Sequence, residues 1–281
     1  MPSKGVLRAA RAWADLKKTE EFGLHIPAGV TYDFGAVMAR MRKLRAKISR
    51  NDSAQRYRNL GVDVFIGTAR FAGADTVVVE GPAGNRTLDF TKAAICTGAR
   101  AAAPPIPGLT EAGYLTNETV FSLTELPPRL GVIGAGPVGC ELAQAFARFG
   151  SRVCLIEAQH GILPKEDRDA AQIVEQQLVK DGVHLLCCGQ DLTISRADGG
   201  KRLTVDSHGR RHEVTVDEIL VGVGRTPNVE GLGLDAVGVE FDKAGIKVNG
   251  RLQTSNPRIF AAGDVCSRYK FTHAADAMAQ I

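Results

Sequence analysis

Leu130-Gly-Val-Ile-Gly-Ala-Gly-Pro-Val-Gly-Cys-Glu-Leu-Ala-Gln-Ala-Phe-Ala-Arg-Phe149, followed closely by Arg152-Val-Cys-Leu-Ile-Glu157, is the stretch that decides the fold. The apolar run 130–133 reads as a buried strand, and Gly134-Ala-Gly136-Pro137-Val138-Gly139 supplies the spacing Gly-x-Gly-x-x-Gly. Val138, Leu142, Phe146 and Phe149 then recur at helical spacing and predict one apolar face of a helix over 137–149. The three glycines act differently. Gly134 permits a tight turn, Gly136 lets the backbone approach a pyrophosphate, and Gly139 lets helix and strand pack closely. The free N–H groups and positive end of the helix then face the phosphates. Glu157 ends the second strand 23 residues after Gly134, placed to accept hydrogen bonds from adenosine ribose hydroxyls. A carboxylate there repels a 2′-phosphate, so the spacing predicts NAD in preference to NADP. Arg152, at the opposite end of that strand, is poorly placed to reverse the preference.

Outward from this core, the order continues as helix (166–181) and strand (184–187), an alternation that implies a parallel sheet. Segments 191–195, 202–207 and 213–216 predict a meander, 218–223 returns as a strand, and a last strand over 258–262 precedes a helix. Toward the N-terminus the pattern is helical up to about residue 60, with a break at 23–29 where Gly and Pro punctuate it. Segments 62–66, 76–80 and 86–90 read as short strands, the last two as an antiparallel pair, and 92–96 as a buried one. Thr97-Gly98 and the proline-rich Ala103-Pro-Pro-Ile-Pro-Gly108 predict a connection between domains, and Pro127-Pro128 marks the next boundary.

Composition bounds the partners. With 44% hydrophobic and 23% charged residues over 281 positions, the chain can build two ordinary cores. No run approaches the roughly 18 apolar residues of a membrane span, so no membrane partner and a cytoplasmic location are expected. Net charge is +4, yet residues 1–60 hold 13 Lys and Arg against 5 Asp and Glu. Phe34, Val37, Met38, Met41, Leu44 and Ile48 fall at helical spacing among those charges, which therefore read as a solvated helix face and not as a nucleic-acid site. The six cysteines lack Cys-x-x-Cys spacing, which argues against a metal site and predicts mostly buried thiols. The neighbours Cys187 and Cys188, read as strand residues, should point to opposite faces.

Four motifs occur in order: Ala93-Ala-Ile-Cys-Thr97-Gly98, the loop from Gly134 to Gly139, Val221-Gly-Val-Gly224-Arg-Thr-Pro-Asn228 and Ile259-Phe-Ala-Ala-Gly263-Asp264. Together they resemble the pyridine nucleotide-disulfide oxidoreductases, the family of dihydrolipoyl dehydrogenase, glutathione reductase and mercuric reductase. The stretches Leu115-Thr-Asn-Glu-Thr-Val-Phe-Ser-Leu-Thr-Glu-Leu-Pro127 and Gly139-Cys-Glu-Leu-Ala-Gln-Ala-Phe-Ala-Arg148 look most like mercuric reductase-like members. The resemblance implies an α/β fold in which a Rossmann-like NAD-binding domain (127–251) is inserted in a partial FAD-binding domain (1–126, with a returning segment 252–281). It implies FAD and NAD as cofactors, a small-molecule or metal-ion substrate, and a homodimer in the full-length family. Asp264 would bond the ribityl chain of FAD with Gly263 allowing close approach, Thr97 and Gly98 would lie at the turn between the domains, and Gly224 would join the cofactor-binding set. Glu141 and Lys4 resemble the family's charge pair beside the flavin, and Thr272-His273-Ala274 the start of a helix facing the flavin ring.

Departures from the family pattern matter as much. The family's N-terminal strand, its first Gly-x-Gly-x-x-Gly loop and its Cys-x-x-x-x-Cys redox pair do not precede Pro2-Ser-Lys4 here, and the sequence stops ahead of the dimerisation domain. Met1 occupies the place of an apolar family residue, so the expected origin is an internal start codon read as Met, a real truncation or a deliberate cut. The expected function is a portion of an enzyme that passes hydride from NAD(P)H to FAD, catalytically incomplete as it stands. An NAD-binding fragment or decayed module without turnover, and an NADH oxidase or diaphorase, are the alternatives.

Overall fold

The computed structural model describes residues 2–281, so the expectation attached to Met1 lies outside the described residues. In chain order, helices α1 (Pro2–Leu16), α2 (Phe34–Ser49) and α3 (Ala54–Asn59) come first. Strands β1 (Thr68–Gly73), β2 (Thr76–Gly81), β3 (Gly84–Asp89), β4 (Ala93–Ile95) and β5 (Ala99–Ala101) follow, then the single turn α4 (Leu109–Ala112). The segment expected to be a nucleotide fold gives β6 (Arg129–Ile133), α5 (Pro137–Phe149), β7 (Arg152–Ile156), α6 (Arg168–Lys180) and β8 (Val183–Leu186). A meander of β9 (Gln190–Ala197), β10 (Gly200–Ser207) and β11 (Arg210–Val216) leads into β12 (Glu218–Val221). The chain then adds β13 (Arg225–Pro227), β14 (Phe241–Asp242), β15 (Gly245–Ile246), β16 (Ile259–Ala261) and α7 (Thr272–Ala279).

Two compact units divide the chain: residues 1–51 with 101–224, and residues 52–100 with 225–281. The first is organised on a four-stranded parallel sheet in the order β12-β6-β7-β8. Alternation along its strands sorts the side chains. Leu130, Val132, Val153, Leu155 and Leu220 face the helical side with Leu142, Phe146 and Phe149 of α5 and Val6 and Ala10 of α1. Ile133, Cys154, Ile156, Ile219 and Val221 face the meander, packing with Ile194, Leu203, Val205 and Val216. Gly131 lies close under the meander, where a Cβ would be 3.2 Å from Leu203 Cδ2. Asp33 caps α2 by accepting from Ala36 N–H, and the Tyr32 hydroxyl donates to the Phe149 carbonyl.

The second unit holds the antiparallel sheet β1-β2-β3 and the parallel pair β16-β4. Phe71, Ile95, Leu234, Ile246, Ile259 and Val265 form its core.

Several expectations need correction. Residues 62–66 form no strand, and the ladder begins only at Thr68 opposite Glu80. The cause is a close crossing: a Cβ on Gly67 would sit 2.3 Å from the Glu80 carbonyl oxygen, so the chain passes over β2 there before it can pair. Val138 does not share the buried face of α5; it is 43% exposed, because at the open first turn nothing packs over it. Helix α2 buries Phe34, Met38 and Met41, while Leu44 and Ile48 within it are exposed. Only Cys140 and Cys154 are buried among the six cysteines. Within the first unit α1 and α2 pack with the segment 127–224 through Val6, Ala10, Phe34, Met38 and Met41.

Candidate functional site

Strand β6 ends at a topological switch point. The chain runs from β6 to β7 on one side, while β12 lies on the other, so the carboxyl ends of β6 and β12 mark the position at which open α/β sheets bind ligands. Gly134 makes the turn there with φ 97°, a conformation that L side chains rarely adopt. Gly139 is confined differently: a Cβ would lie 1.9 Å from the Gly134 carbonyl oxygen, so only glycine lets α5 sit this close to the turn. Around Gly136 the space is open, the nearest atom to an added Cβ being Gly222 O at 3.9 Å. No side chain caps α5, whose first residue is Pro137, so its N-terminal N–H groups and dipole are directed at that open space. A pyrophosphate fits these features.

Glu157, at the end of β7, reaches back to the loop. Its Oε2 accepts from Ala135 N–H at 2.7 Å and its Oε1 from Gln159 N–H at 3.0 Å, which fixes the carboxylate beside the turn. Gly222, which the sequence pattern does not single out, supports the loop by donating its N–H to Ile133 O at 2.7 Å. Gly224, two residues on, has φ 123° and no atom within 4 Å of an added Cβ. Cys140 beneath the loop is pushed up to about 12, first by burial and then by the charge of Glu157; its thiol donates to Ala135 O. In the same unit α1 packs against α5 and brings Lys4 Nζ to 2.7 Å from Glu141 Oε1, with both side chains well exposed.

The second unit gathers the other sequence-predicted residues at the ends of β4 and β16. Thr97 Oγ1 donates to Asn228 O at 2.8 Å, Asn228 Nδ2 donates to Thr97 O at 2.9 Å, and Asn228 N–H donates to Gly98 O at 3.0 Å. Gly263 turns the chain with φ 82°, and the half-buried Asp264 faces Arg225 Nη1 at 3.2 Å. Arg225 also donates to Ala99 O at 2.6 Å and accepts at its own carbonyl from Lys270 Nζ. Sequence reasoning missed Arg225 and Asn228 as individual residues, and their only sequence signal is membership of the Gly-Arg-Thr-Pro-Asn stretch. His273 is exposed and stacks on Phe271.

The expectation that the cysteines leave no metal site rested on spacing along the chain, and the reading of Cys187 and Cys188 as strand neighbours does not hold. Both follow β8, Cys188 has φ 55°, and the two sulfurs lie with a His160 ring nitrogen within 4.8 Å of one another.

A parallel sheet with a glycine turn and a helix terminus at its switch point defines the class: a dinucleotide-binding α/β protein. The family model for pyridine nucleotide-disulphide oxidoreductases matches residues 1–279, and the chain belongs to that family. It is 31% identical over 277 residues to a dihydrolipoyl dehydrogenase of Bacillus subtilis, covering 98% of this chain and 60% of that protein. It is 33% identical over 276 residues to a mercuric reductase of Lysinibacillus sphaericus, covering 98% and 50%. Among solved structures, the HOCl-induced flavoprotein disulfide reductase RclA of Escherichia coli matches with a TM-score of 0.83 and 28% identity, covering all of this chain and 59% of that one. The chain thus spans about half to three fifths of the length of these relatives. No helix among the described residues is long and apolar enough to cross a membrane.

Proposed function

We propose that this chain carries the NAD(H) site, and part of the FAD site, of a flavin-linked oxidoreductase that moves hydride from NAD(P)H to FAD on the way to a disulfide or metal-ion substrate. One observation supports it above the others: the uncapped N-terminus of α5 and the open space at Gly136 stand at the switch point, beside a carboxylate anchored to the same loop. NAD(P)H would supply the hydride and FAD would accept it. The α5 N–H groups hold the pyrophosphate, and Glu157 takes the ribose hydroxyls while its charge disfavours a 2′-phosphate. Lys4 and Glu141 keep a fixed charge pair for the hydride step, and Asp264, Gly263, Thr97 and Gly98 serve the flavin's ribityl side. In this reading 127–251 is the NAD-binding segment, with 1–126 and 252–281 contributing to FAD. A cytoplasmic, homodimeric full-length enzyme completes it.

Calorimetry with NADH and NADPH tests the assignment. NADH binds more tightly to the wild-type chain, and Glu157→Ala narrows the difference by about 1 to 3 kcal/mol, the worth of a hydrogen bond to a charged group. Equal wild-type affinity for the two nucleotides overturns it.

A further inference from the structure

We propose that His160, Cys187, Cys188 and His208 form a binding site for a thiophilic divalent cation, with Zn²⁺ as its probe, separate from the glycine loop. The donors come from three segments of the first unit. His160 lies in the loop after β7, Cys187 and Cys188 follow β8, and His208 occupies the two-residue turn between β10 and β11. Cys188 Sγ is 3.5 Å from His160 Nδ1, and Cys187 Sγ is 3.2 Å from His208 Nε2. Those separations approach the edge of a tetrahedron, about 3.5 Å between sulfur and nitrogen when Zn–S is about 2.3 Å and Zn–N about 2.0 Å. Three donor atoms, from His160, Cys187 and Cys188, already lie within 4.8 Å of one another. His208, with its Nε2 against Cys187 Sγ and its ring centroid 6.4 Å from that of His160, is the fourth.

The backbone presents both sulfurs to one side. A strand would send consecutive side chains to opposite faces, but the left-handed conformation of Cys188 (φ 55°) reverses that alternation. The turn is anchored on every flank: Cys188 N–H donates to Gln159 O at 3.0 Å, Gly189 N–H to Glu157 O at 2.9 Å, and Ser207 Oγ to Cys187 O at 2.6 Å. Gly189 keeps this approach close, since a Cβ there would be in tight contact with Val205 Cγ2 at 3.1 Å and Glu157 O at 3.3 Å. His208 also has positive φ, 50°, in its turn. The two cysteines are half-buried and the two histidines exposed, so an ion has a path in from solvent. Two thiolates and two imidazoles suit Zn²⁺, and on binding the two thiol protons pass to solvent.

Co²⁺ titration of the purified 281-residue chain in a non-thiol reductant tests the site, because thiolate-bound tetrahedral cobalt shows a charge-transfer band and intense ligand-field bands. One equivalent of Co²⁺ should develop both, and Zn²⁺ should displace it. Cys187→Ser with Cys188→Ser abolishes the spectrum, His160→Asn and His208→Asn each weaken binding at least tenfold, and Cys96→Ser with Cys266→Ser leaves it unchanged. If the double serine variant is not folded by circular dichroism, the His160→Asn/His208→Asn variant decides. Absence of the bands at one equivalent, or their persistence in the double serine or double asparagine variant, overturns the proposal.

Discussion

The glycine turn at 134–139 and the glycine turn at 263–264 both end strands at candidate cofactor positions, yet they satisfy their polar groups in different ways. In the first unit one continuous stretch supplies strand, turn and helix, and the first turn of α5 has no side-chain cap. Its N–H groups are available to an anion without breaking any internal side-chain bond. In the second unit Asp264 already faces Arg225, and Thr97 and Gly98 are bonded to Asn228, so a ligand there must replace or share internal partners. A preorganised site of the first kind binds with less reorganisation than one of the second. The 281-residue chain is therefore expected to bind NADH more tightly than FAD, and equilibrium dialysis against each, with stoichiometric retention of FAD, would break the contrast.

Two glycine variants sharpen it most. Gly139→Ala places a Cβ 1.9 Å from Gly134 O, so α5 must move off the turn; a loss of about 3 kcal/mol in unfolding free energy and of NADH binding is expected, the size typical of overpacking. Gly136→Ala meets nothing nearer than 3.9 Å and has φ −72°, so its melting temperature stays near wild type. Its methyl group stands where the pyrophosphate approaches, and NADH affinity falls about tenfold, near 1.4 kcal/mol. Unchanged NADH affinity in Gly136→Ala would show that the open space at Gly136 is not a ligand's.

In the other unit, Asp264→Asn removes the carboxylate from Arg225 and is expected to cost about 1 kcal/mol by denaturant titration, since Arg225 keeps its bond to Ala99 O and its side chain is 42% exposed. NADH affinity should not change. The smallest expected effect is the pH response of the neighbouring Arg100–Glu230 pair. The side-chain hydrogen bonds from Arg100 hold Glu230 down at about 2, below its ordinary 4.5. A lowered folded value means the native state gives up its proton first, so the pair's contribution is present above pH 4.5 and disappears as pH falls toward 2. Because the pair is exposed, the loss is small and shrinks with salt. Glu230→Gln should flatten that part of the acid limb in a series of thermal melts.

The nucleotide fold was legible because its signals are local. Strand, turn and helix over 129–149 follow from periodicity and glycine positions within one window, and the meander over 190–216 from alternating residues between turns. The run at 62–66 misled because β-branched and aromatic residues there satisfy a strand pattern, while the close crossing of Gly67 over Glu80 that prevents pairing involves residues 13 apart. Val138 misled because helical spacing reports a face and not whether anything covers the first turn of that face. Exposure at a helix start belongs to the neighbours.

The sequence by itself determined the parallel sheet, the glycine turn with its helix and the carboxylate at Glu157, since each depends on backbone conformations and spacings set within a few residues. Only the tertiary structure decided that Arg225 faces Asp264, that Asn228 clasps Thr97 and Gly98, and that His160, Cys187, Cys188 and His208 meet. Those meetings depend on how strand ends are brought together by the packing of Leu203, Val205 and Ile156 and of Ile95, Ile259 and Val265, a collective outcome of burial that no single spacing encodes.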